Sequence, residues 1–361
     1  MTSRLSAHLI SHNPALWNRL RSFYDGRSVM ITGGLGFIGS NLAIVLAEMN
    51  ARIMLVDSLI PEYGGNRFNI EPIAGKVEVN ISDVRDRSSM NMLVQGRDLI
   101  FNLAGTLSHV DSMKDPFTDL EINCVSQLSI LESCRKYNPA VKLVFAGTRG
   151  QYGRTGSDPV SEKHLMRPVD VNGINNIAGE SYHLLYNDVY GIKACSLRLT
   201  NTFGPRHQMN HHRQGVLNWF LRQLIDGDKI RLYGTGDQVR DTNYVSDVVE
   251  AFLIAMADDR TDGEVYNLGG EPISLRQFVE MAVEVNGGGD YEIVPFPADA
   301  KQIEIGDYRA DYSKFNELTG WKPEVSLKEG IARTLDYYRE YREYYWGSRP
   351  SERPRRMPVG A

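Results

Sequence analysis

Between Ser28 and Leu199, short apolar runs rich in β-formers alternate with longer stretches whose apolar residues recur at helical spacing. The runs are Val29-Met30-Ile31, Arg52 to Val56, Leu99-Ile100-Phe101, Lys142 to Phe145 and Ala194 to Leu199. Strands that alternate with helices run parallel, so the pattern predicts βαβ units, an α/β fold whose sheet is covered by helices on both faces. After about Gly204 the elements become shorter and less regular, as in a smaller second lobe, with apolar helical runs at Val216–Ile225 and Val248–Ala257. Leu16-Trp17, Leu20 and Phe23-Tyr24 are spaced like one short amphipathic helix, read as an arm appended ahead of the main fold. The expected boundaries are residues 1–26 for the arm, 27–204 for the first lobe, 205–345 mainly for the second, and 346–361 for a Pro- and Arg-rich tail. That tail is expected to be a disordered end.

Composition narrows the class. With 361 residues, 42% hydrophobic and 24% charged, the chain can bury a sizeable core, which excludes disordered, collagen-like and disulfide-framework proteins. Forty Lys and Arg against 45 Asp and Glu give a net charge of −5, so no overall field favours nucleic acid or a membrane surface. Any anionic ligand has to be held locally. Cys124, Cys134 and Cys195 are odd in number and form no Cys-x-x-Cys pair, which argues against structural disulfides and a cysteine zinc site. A reducing cytoplasm fits best. No apolar run reaches the roughly 18 residues of a membrane span, and the segment MTSRLSAHLISHNPALW lacks a signal-peptide pattern.

The strongest motif is VMITGGLGFIG at 29–39, a strand that runs into Gly33, Gly36 and Gly39 and then a helical stretch at Ser40–Met49. Glycines there permit a tight turn and close backbone approach, and the N-terminus of the following helix offers free N–H groups and a positive dipole end to a pyrophosphate. The next strand ends in Asp57, where a carboxylate can take two ribose hydroxyls. An acid there also repels a 2′-phosphate, so NAD is expected in preference to NADP. Asp83-Val84 follows a third β-like run and either contacts the adenine edge or caps a surface turn. Asn102 and Leu103-Ala104-Gly105 end a strand in small residues, as where backbone passes close to a flat ligand.

These residues, together with SHVDSMKDP (108–116), Asn123, Thr148 with Tyr152-Gly153, Arg167-Pro168, Glu180, LRLTNTFGPR (197–206), LYGTGDQVRDTNYVSDV (232–248), YNLGG (266–270) and GWKP (320–323), occur in the order of a known family. Over roughly residues 28–340 the chain resembles an extended short-chain dehydrogenase/reductase of the nucleotide-sugar epimerase/dehydratase family. The resemblance implies a Rossmann-type doubly wound sheet that binds NAD and a smaller α/β lobe that binds a nucleoside diphosphate sugar. It implies cofactor contacts at Gly33, Gly36, Phe37, Ile38, Gly39, Asp57, Asp83, Val84, Leu103, Ala104, Gly105, Asn123 and Asn176. Asn201 and Arg240 fall where the family grips the diphosphate, although Arg240-Asp241 also reads as a local ion pair. Arg206 sits on the segment that enters the second lobe, and Val216 and Leu217 either pack on the nucleobase or belong to the core. The family also pairs through two helices per subunit, here about 116–137 and 172–190, so a homodimer is expected.

The chain departs from this pattern where the chemistry lies. The family uses a Ser or Thr, a Tyr that accepts the sugar hydroxyl proton, and a Lys four residues on whose charge lowers the Tyr pKa. Thr148 fills the first place, but alignment through Arg167-Pro168 and Glu180 puts Asn172 and Asn176 in the other two. An amide has no titratable proton near neutral pH, so Asn172 is no general base and Asn176 brings no charge. Asn176 retains the capacity to hydrogen-bond a nicotinamide ribose. Tyr152, His109, His183 and Glu180 are the candidate substitutes, each with an equally good structural reading. Arg149 and Gly150 stand where dehydratases and decarboxylases carry acids, which removes support for both reactions and leaves an epimerase-like one through a transient keto sugar. The alternatives are a redox-silent NAD- and nucleotide-sugar-binding partner or regulatory subunit, or a non-redox lyase or isomerase. Arg149 contacts an acidic sugar or diphosphate oxygen, or is an exposed loop residue. His207, His211 and His212 lack a carboxylate or cysteine at ligand spacing, so no metal is expected, and they are read as lining the loop over the sugar or facing water.

Overall fold

Each apolar run of the first lobe becomes a strand of one parallel sheet. The computed structural model describes residues 13–60, 62–156, 159–297 and 301–347. The strands β1 (Ser28–Thr32), β2 (Arg52–Asp57), β3 (Val77–Ile81), β4 (Leu99–Asn102), β5 (Lys142–Thr148) and β6 (Ala194–Leu199) lie in the order 3-2-1-4-5-6. A seventh, β10 (Val265–Asn267), adds in parallel beside β6. The order reverses between β1 and β4, which pair from Val29 with Leu99 to Thr32 with Asn102. Connections from these two strands leave in opposite directions, so a crevice opens beyond their C-terminal ends.

The N-terminal segment is not a free appendage. Asn13 caps α1 (Pro14–Tyr24) through its side chain, and Leu20 and Tyr24 are fully buried in the main core. The Tyr24 hydroxyl donates to the Leu253 carbonyl at 2.8 Å. Complete burial of side chains this size contributes about 1.5–3 kcal/mol each, enough to dock a three-turn helix. Residues 1–12 lie outside the described residues.

The boundary near 204 is also crossed twice. The strand β7 (Asn201–Phe203) already belongs to the second lobe, in a three-stranded sheet with β9 (Val239–Tyr244) and β11 (Glu271–Ser274). Conversely α9 (Val245–Ala257) and β10 return to the first. Nearly every residue of α9 is buried, and Phe252 meets Phe101 of β4 edge to face. A helix apolar on all sides needs cover on all sides, and the large sheet with α1 supplies it. The second lobe is completed by α8 (Val216–Asp226), α10 (Leu275–Asn286), α11 (Ser313–Thr319), α12 (Leu327–Tyr341) and a parallel pair, β8 (Ile230–Tyr233) with β12 (Tyr291–Val294). Trp346, placed by sequence in the tail, hydrogen-bonds Asp226 at 3.1 Å; the tail beyond Gly347 lies outside the described residues. Among the described residues no helix is long and apolar enough to cross a membrane.

Between β4 and β5 on one side and α7 (Val171–Tyr190) on the other lies a buried polar network. Thr32 Oγ1 donates to Asn102 Oδ1 at 2.9 Å, and Asn102 Nδ2 lies 3.2 Å from His183 Nε2. The His183 Nδ1 faces the Gly179 carbonyl at 2.7 Å, and the ring stacks on Phe145. Donor Nδ1 and acceptor Nε2 are both used by the neutral tautomer, and burial pushes the imidazole pKa down to about 4 despite the raising effect of the Gly179 carbonyl. The folded value lies below the unfolded one, so this stabilisation is intact above about pH 6.5 and is lost as pH falls towards 4. Removing the titration with His183→Gln therefore flattens the acid side of the stability profile. Wild type should lose roughly 2–3 kcal/mol more than the variant between pH 7 and 4.5 in denaturant unfolding.

Candidate active site

The crevice at the strand-order reversal encloses about 270 Å³. Its floor is built by the glycine turn. Gly33 takes a left-handed φ of 68°, and a Cβ there would lie 3.1 Å from the Leu103 carbonyl oxygen. A Cβ on Gly39 would lie only 2.3 Å from the Gly33 carbonyl oxygen, so α2 (Phe37–Glu48) abuts the turn as closely as backbone allows. No side chain caps the N-terminus of α2, which leaves the N–H groups of its first turn facing the crevice. Helix α2 begins three residues before the expected Ser40, so Phe37 and Ile38 carry those donors.

Asp57 closes this end. Its carboxylate accepts from Leu35 N–H at 3.0 Å and Leu59 N–H at 2.9 Å. Burial raises its pKa, and those two N–H groups oppose the rise. Asp83 is held by Arg85 at 2.7 Å, and that hydrogen bond lowers its pKa against the raising effect of burial. All the expected cofactor residues line the crevice except one. Asn123 lies behind the wall, where its side chain accepts from Thr106 N–H at 3.0 Å and donates to Thr106 Oγ1 at 2.6 Å. Its place on the π-helical turn Glu121–Val125, between α5 (Pro116–Leu120) and α6 (Ser126–Tyr137), aims it at the Gly105-Thr106 turn.

The opposite end carries Thr148, Arg149, Asn172, Asn176 and His109. Thr148 ends β5, and its hydroxyl oxygen accepts from Gly150 N–H at 3.1 Å, which leaves its O–H free to donate. His109 opens α4 (His109–Lys114). Its Nδ1 meets Asp170 Oδ2 at 2.6 Å, while Nε2 has no partner among the described residues. Asp170 is the N-cap of α7, fixed by Gly173 N–H at 2.7 Å. Burial raises the Asp170 pKa, but the hydrogen bond and charge of His109 outweigh it, so the carboxyl titrates below its ordinary range. A Cβ on Gly150 would lie 3.3 Å from His109 Cε1 and 3.5 Å from Thr148 Oγ1. The imidazole edge and the hydroxyl thus converge over Gly150.

Asn172 is turned away from this chemistry. Its Nδ2 donates to the Thr106 carbonyl at 2.8 Å and to Asp119 Oδ2 at 3.0 Å, while Asn175 donates to Asp119 Oδ1 at 2.8 Å. Asn176 donates in turn to the Asn172 carbonyl at 2.9 Å. The amide at 172 satisfies a buried carboxylate, a task for which a phenol has too few donors.

Several expected residues fall elsewhere. Tyr152 is fully buried away from the crevice; its hydroxyl donates to Asn267 Oδ1 at 2.7 Å and accepts from Arg198 at 2.6 Å. Burial raises its pKa over the opposing charge of Arg198, the wrong direction for a base. Arg198 also pairs with Glu180, so that residue is structural too. Arg206 ties the lobes together, donating to the Asn69 carbonyl at 3.1 Å and to Asn41 Oδ1 at 2.8 Å. Leu217 is core, and Val216 packs against it without lining the crevice. Arg240 lies outside the lining and holds Glu304 at 2.5 Å. Asn201 does line it, with a buried Oδ1 that has no partner among the described residues. Thr200 and Thr202 of the LRLTNTFGPR motif and His207 of the histidine cluster also line it, as do Tyr63, Gln208 and Gln214, which carried no sequence signal. Among the described residues no group of three or more His, Cys, Asp or Glu could hold a metal.

A glycine cradle, an uncapped helix end and a carboxylate on the neighbouring strand end define a dinucleotide-binding α/β protein with a substrate lobe over the crevice. The chain belongs to the NAD-dependent epimerase/dehydratase family, whose profile matches residues 29–269. It is 30% identical over 324 residues to the UDP-N-acetyl-alpha-D-glucosaminuronate decarboxylase of Bacillus cytotoxicus, covering 86% of this chain and 97% of that one. Two solved structures are similar. The Thermotoga maritima UDP-glucose 4-epimerase with UDP-glucose has a TM-score of 0.79 at 31% identity, covering 88% of this chain and 100% of that one. The Thermus thermophilus UDP-glucose 4-epimerase complex with NAD has a TM-score of 0.77 at 30% identity, covering 86% and 99%. The cofactor is NAD, and the cradle and Asp57 fit it.

A methyl group at Gly39 has no room beside the Gly33 carbonyl. Gly39→Ala should therefore weaken NAD binding at least tenfold in calorimetry while the secondary structure seen by circular dichroism is kept.

Proposed function

We propose that this protein epimerises a nucleoside diphosphate sugar through a transient keto sugar, with His109 in place of the family's tyrosine. The observation that carries the reading is the His109–Asp170 pair at 2.6 Å on the crevice wall, with the His109 Cε1 edge and the Thr148 hydroxyl oxygen both close to Gly150. NAD, held by the turn at Gly33–Gly39 and by Asp57, would supply a reversible hydride acceptor, so that a sugar carbon could lose a hydride from one face and regain it on the other. Thr148 donates its O–H to the reacting sugar oxygen and orients it. His109 Nε2 accepts the hydroxyl proton and returns it, while Asp170 holds the ring and steadies its charged form. Asn176 reaches the nicotinamide ribose, and Asn201 offers its unpartnered oxygen to the substrate. The relatives' names, a uridine-sugar decarboxylase and uridine-sugar epimerases, support the substrate class. The three cysteines stand apart as free thiols, which supports a cytoplasmic location.

We also propose a homodimer. Phe117 and Val125 on the α5–α6 segment and Ile174, Leu185 and Val189 on α7 are exposed apolar residues on the faces expected to pair. Sedimentation should give twice the chain mass, and Leu185→Asp should give monomer.

A second reading, a redox-silent partner protein that keeps both ligands, is favoured by the turned-away Asn172. A panel of UDP-, dTDP-, GDP- and CDP-sugars followed by NMR separates the two. Epimer formation or isotope exchange at a ring carbon supports catalysis, and none with any sugar leaves the silent protein. For an active enzyme, His109→Ala should cut kcat by about 10²–10⁴ with little change in KM, and added imidazole should restore part of it. Asp170→Asn should lower kcat without abolishing substrate binding.

A further inference from the structure

Arg149 is the unexplained charge of the crevice. It follows Thr148 directly, lines the cavity, and its guanidinium makes no hydrogen bond or ion pair among the described residues. The Nη1 is buried and unpartnered, and the guanidinium lies over the face of Tyr308, 5.4 Å from the ring centre. Three carboxylates lie near enough to act on it, yet each is already held. Asp241 accepts from Gly270 N–H at 2.6 Å through Oδ1 and from Ala310 N–H at 2.7 Å through Oδ2. Glu304 is held by Arg240 at 2.5 Å and by Gly306 N–H at 3.1 Å. Asp170 is shared between His109 and the Gly173 N–H.

A guanidinium nitrogen buried without a hydrogen-bond acceptor is costly, because its hydration is lost and only the Tyr308 ring face lies against the group. Burial, together with the charge of Arg240, pulls its pKa down to about 10, which still leaves it cationic at neutral pH. Arg240 nearby shows the ordinary solution, a carboxylate partner. Arg149 differs in facing the cavity, where a ligand can supply the missing oxygens in the bidentate geometry that guanidinium favours.

We propose that Arg149 seats an oxyanion carried by the nucleotide sugar, either a carboxylate on the hexose or the phosphate attached to it. This rests on the nucleotide-sugar reading above. It makes Arg149 a specificity-determining residue, set beside the reacting end of the crevice by its adjacency to Thr148. It also accounts for the arginine at a position next to Gly150 and His109, where a neutral side chain would avoid the desolvation cost.

The test is calorimetry of the full chain with UDP-glucose and UDP-glucuronate, for wild type, Arg149→Gln and Arg149→Lys, with melting temperatures without ligand. Expected for a sugar carboxylate is a wild-type preference for UDP-glucuronate of tenfold or more that Arg149→Gln removes and Arg149→Lys partly keeps. If Arg149→Gln weakens both ligands tenfold alike, the oxyanion is the phosphate. In either case Arg149→Gln without ligand should melt no lower than wild type, since it removes an unpaired buried charge. Affinities for both ligands within twofold of wild type, or a variant that melts several degrees lower, would overturn the inference and leave the nucleotide-sugar reading standing. If wild type binds neither ligand, the reading for uridine sugars fails and this inference fails with it.

Discussion

The reversal of strand order between β1 and β4 is the constraint on which the molecule depends. Chains leaving those two strands diverge, and the gap cannot be filled by either connection. The hydrogen bond from Thr32 to Asn102 locks the two strand ends at that point. Thr32 Oγ1 then accepts from the N–H groups of Leu103 and Ala104, at 3.0 and 3.1 Å, which shapes the wall beyond. The close approach of Gly39 to Gly33 places the end of α2 against the same gap. Cofactor floor and substrate wall are thus set by one local geometry.

From that gap outward, buried polar groups decide which side chains are free to act. Asn102 is held by Gln127 and His183, Asn172 by Thr106 and Asp119, and Tyr152 by Arg198 and Asn267. Each such group is consumed by structure, because an unsatisfied polar atom in the interior costs more than a made hydrogen bond gains. Among the groups that the described residues leave unpartnered in the crevice are His109 Nε2, the Thr148 hydroxyl hydrogen, Asn201 Oδ1 and the Arg149 guanidinium. The proposed chemistry is assigned to those groups. On the proposed mechanism His109 is the proton acceptor, and the amide at 172 belongs to a buried network around Asp119.

The second lobe contributes by leaning back. With α9 and β10 returned to the large sheet, and with Arg206 bound to Asn41 and Asn69, the segment 199–208 is fixed as the roof of the crevice. Asn201, Thr202 and His207 reach the cavity for that reason.

The parallel sheet, the glycine turn and Asp57 are legible in the sequence alone. These are written in local pattern: strand runs, glycine spacing and a carboxylate at a strand end are properties of neighbouring residues. The folded structure alone shows that Tyr152, Arg206 and Arg240 are held by other side chains, that Leu217 lies in the core, that the N-terminal helix is docked, and that His109 meets Asp170. His109 and Asp170 lie on separate elements and Arg149 faces carboxylates already taken by other groups, so their state depends on what long-range packing leaves unpaired. Hydrogen-bond satisfaction is a property of the folded interior, and no spacing along the chain records it.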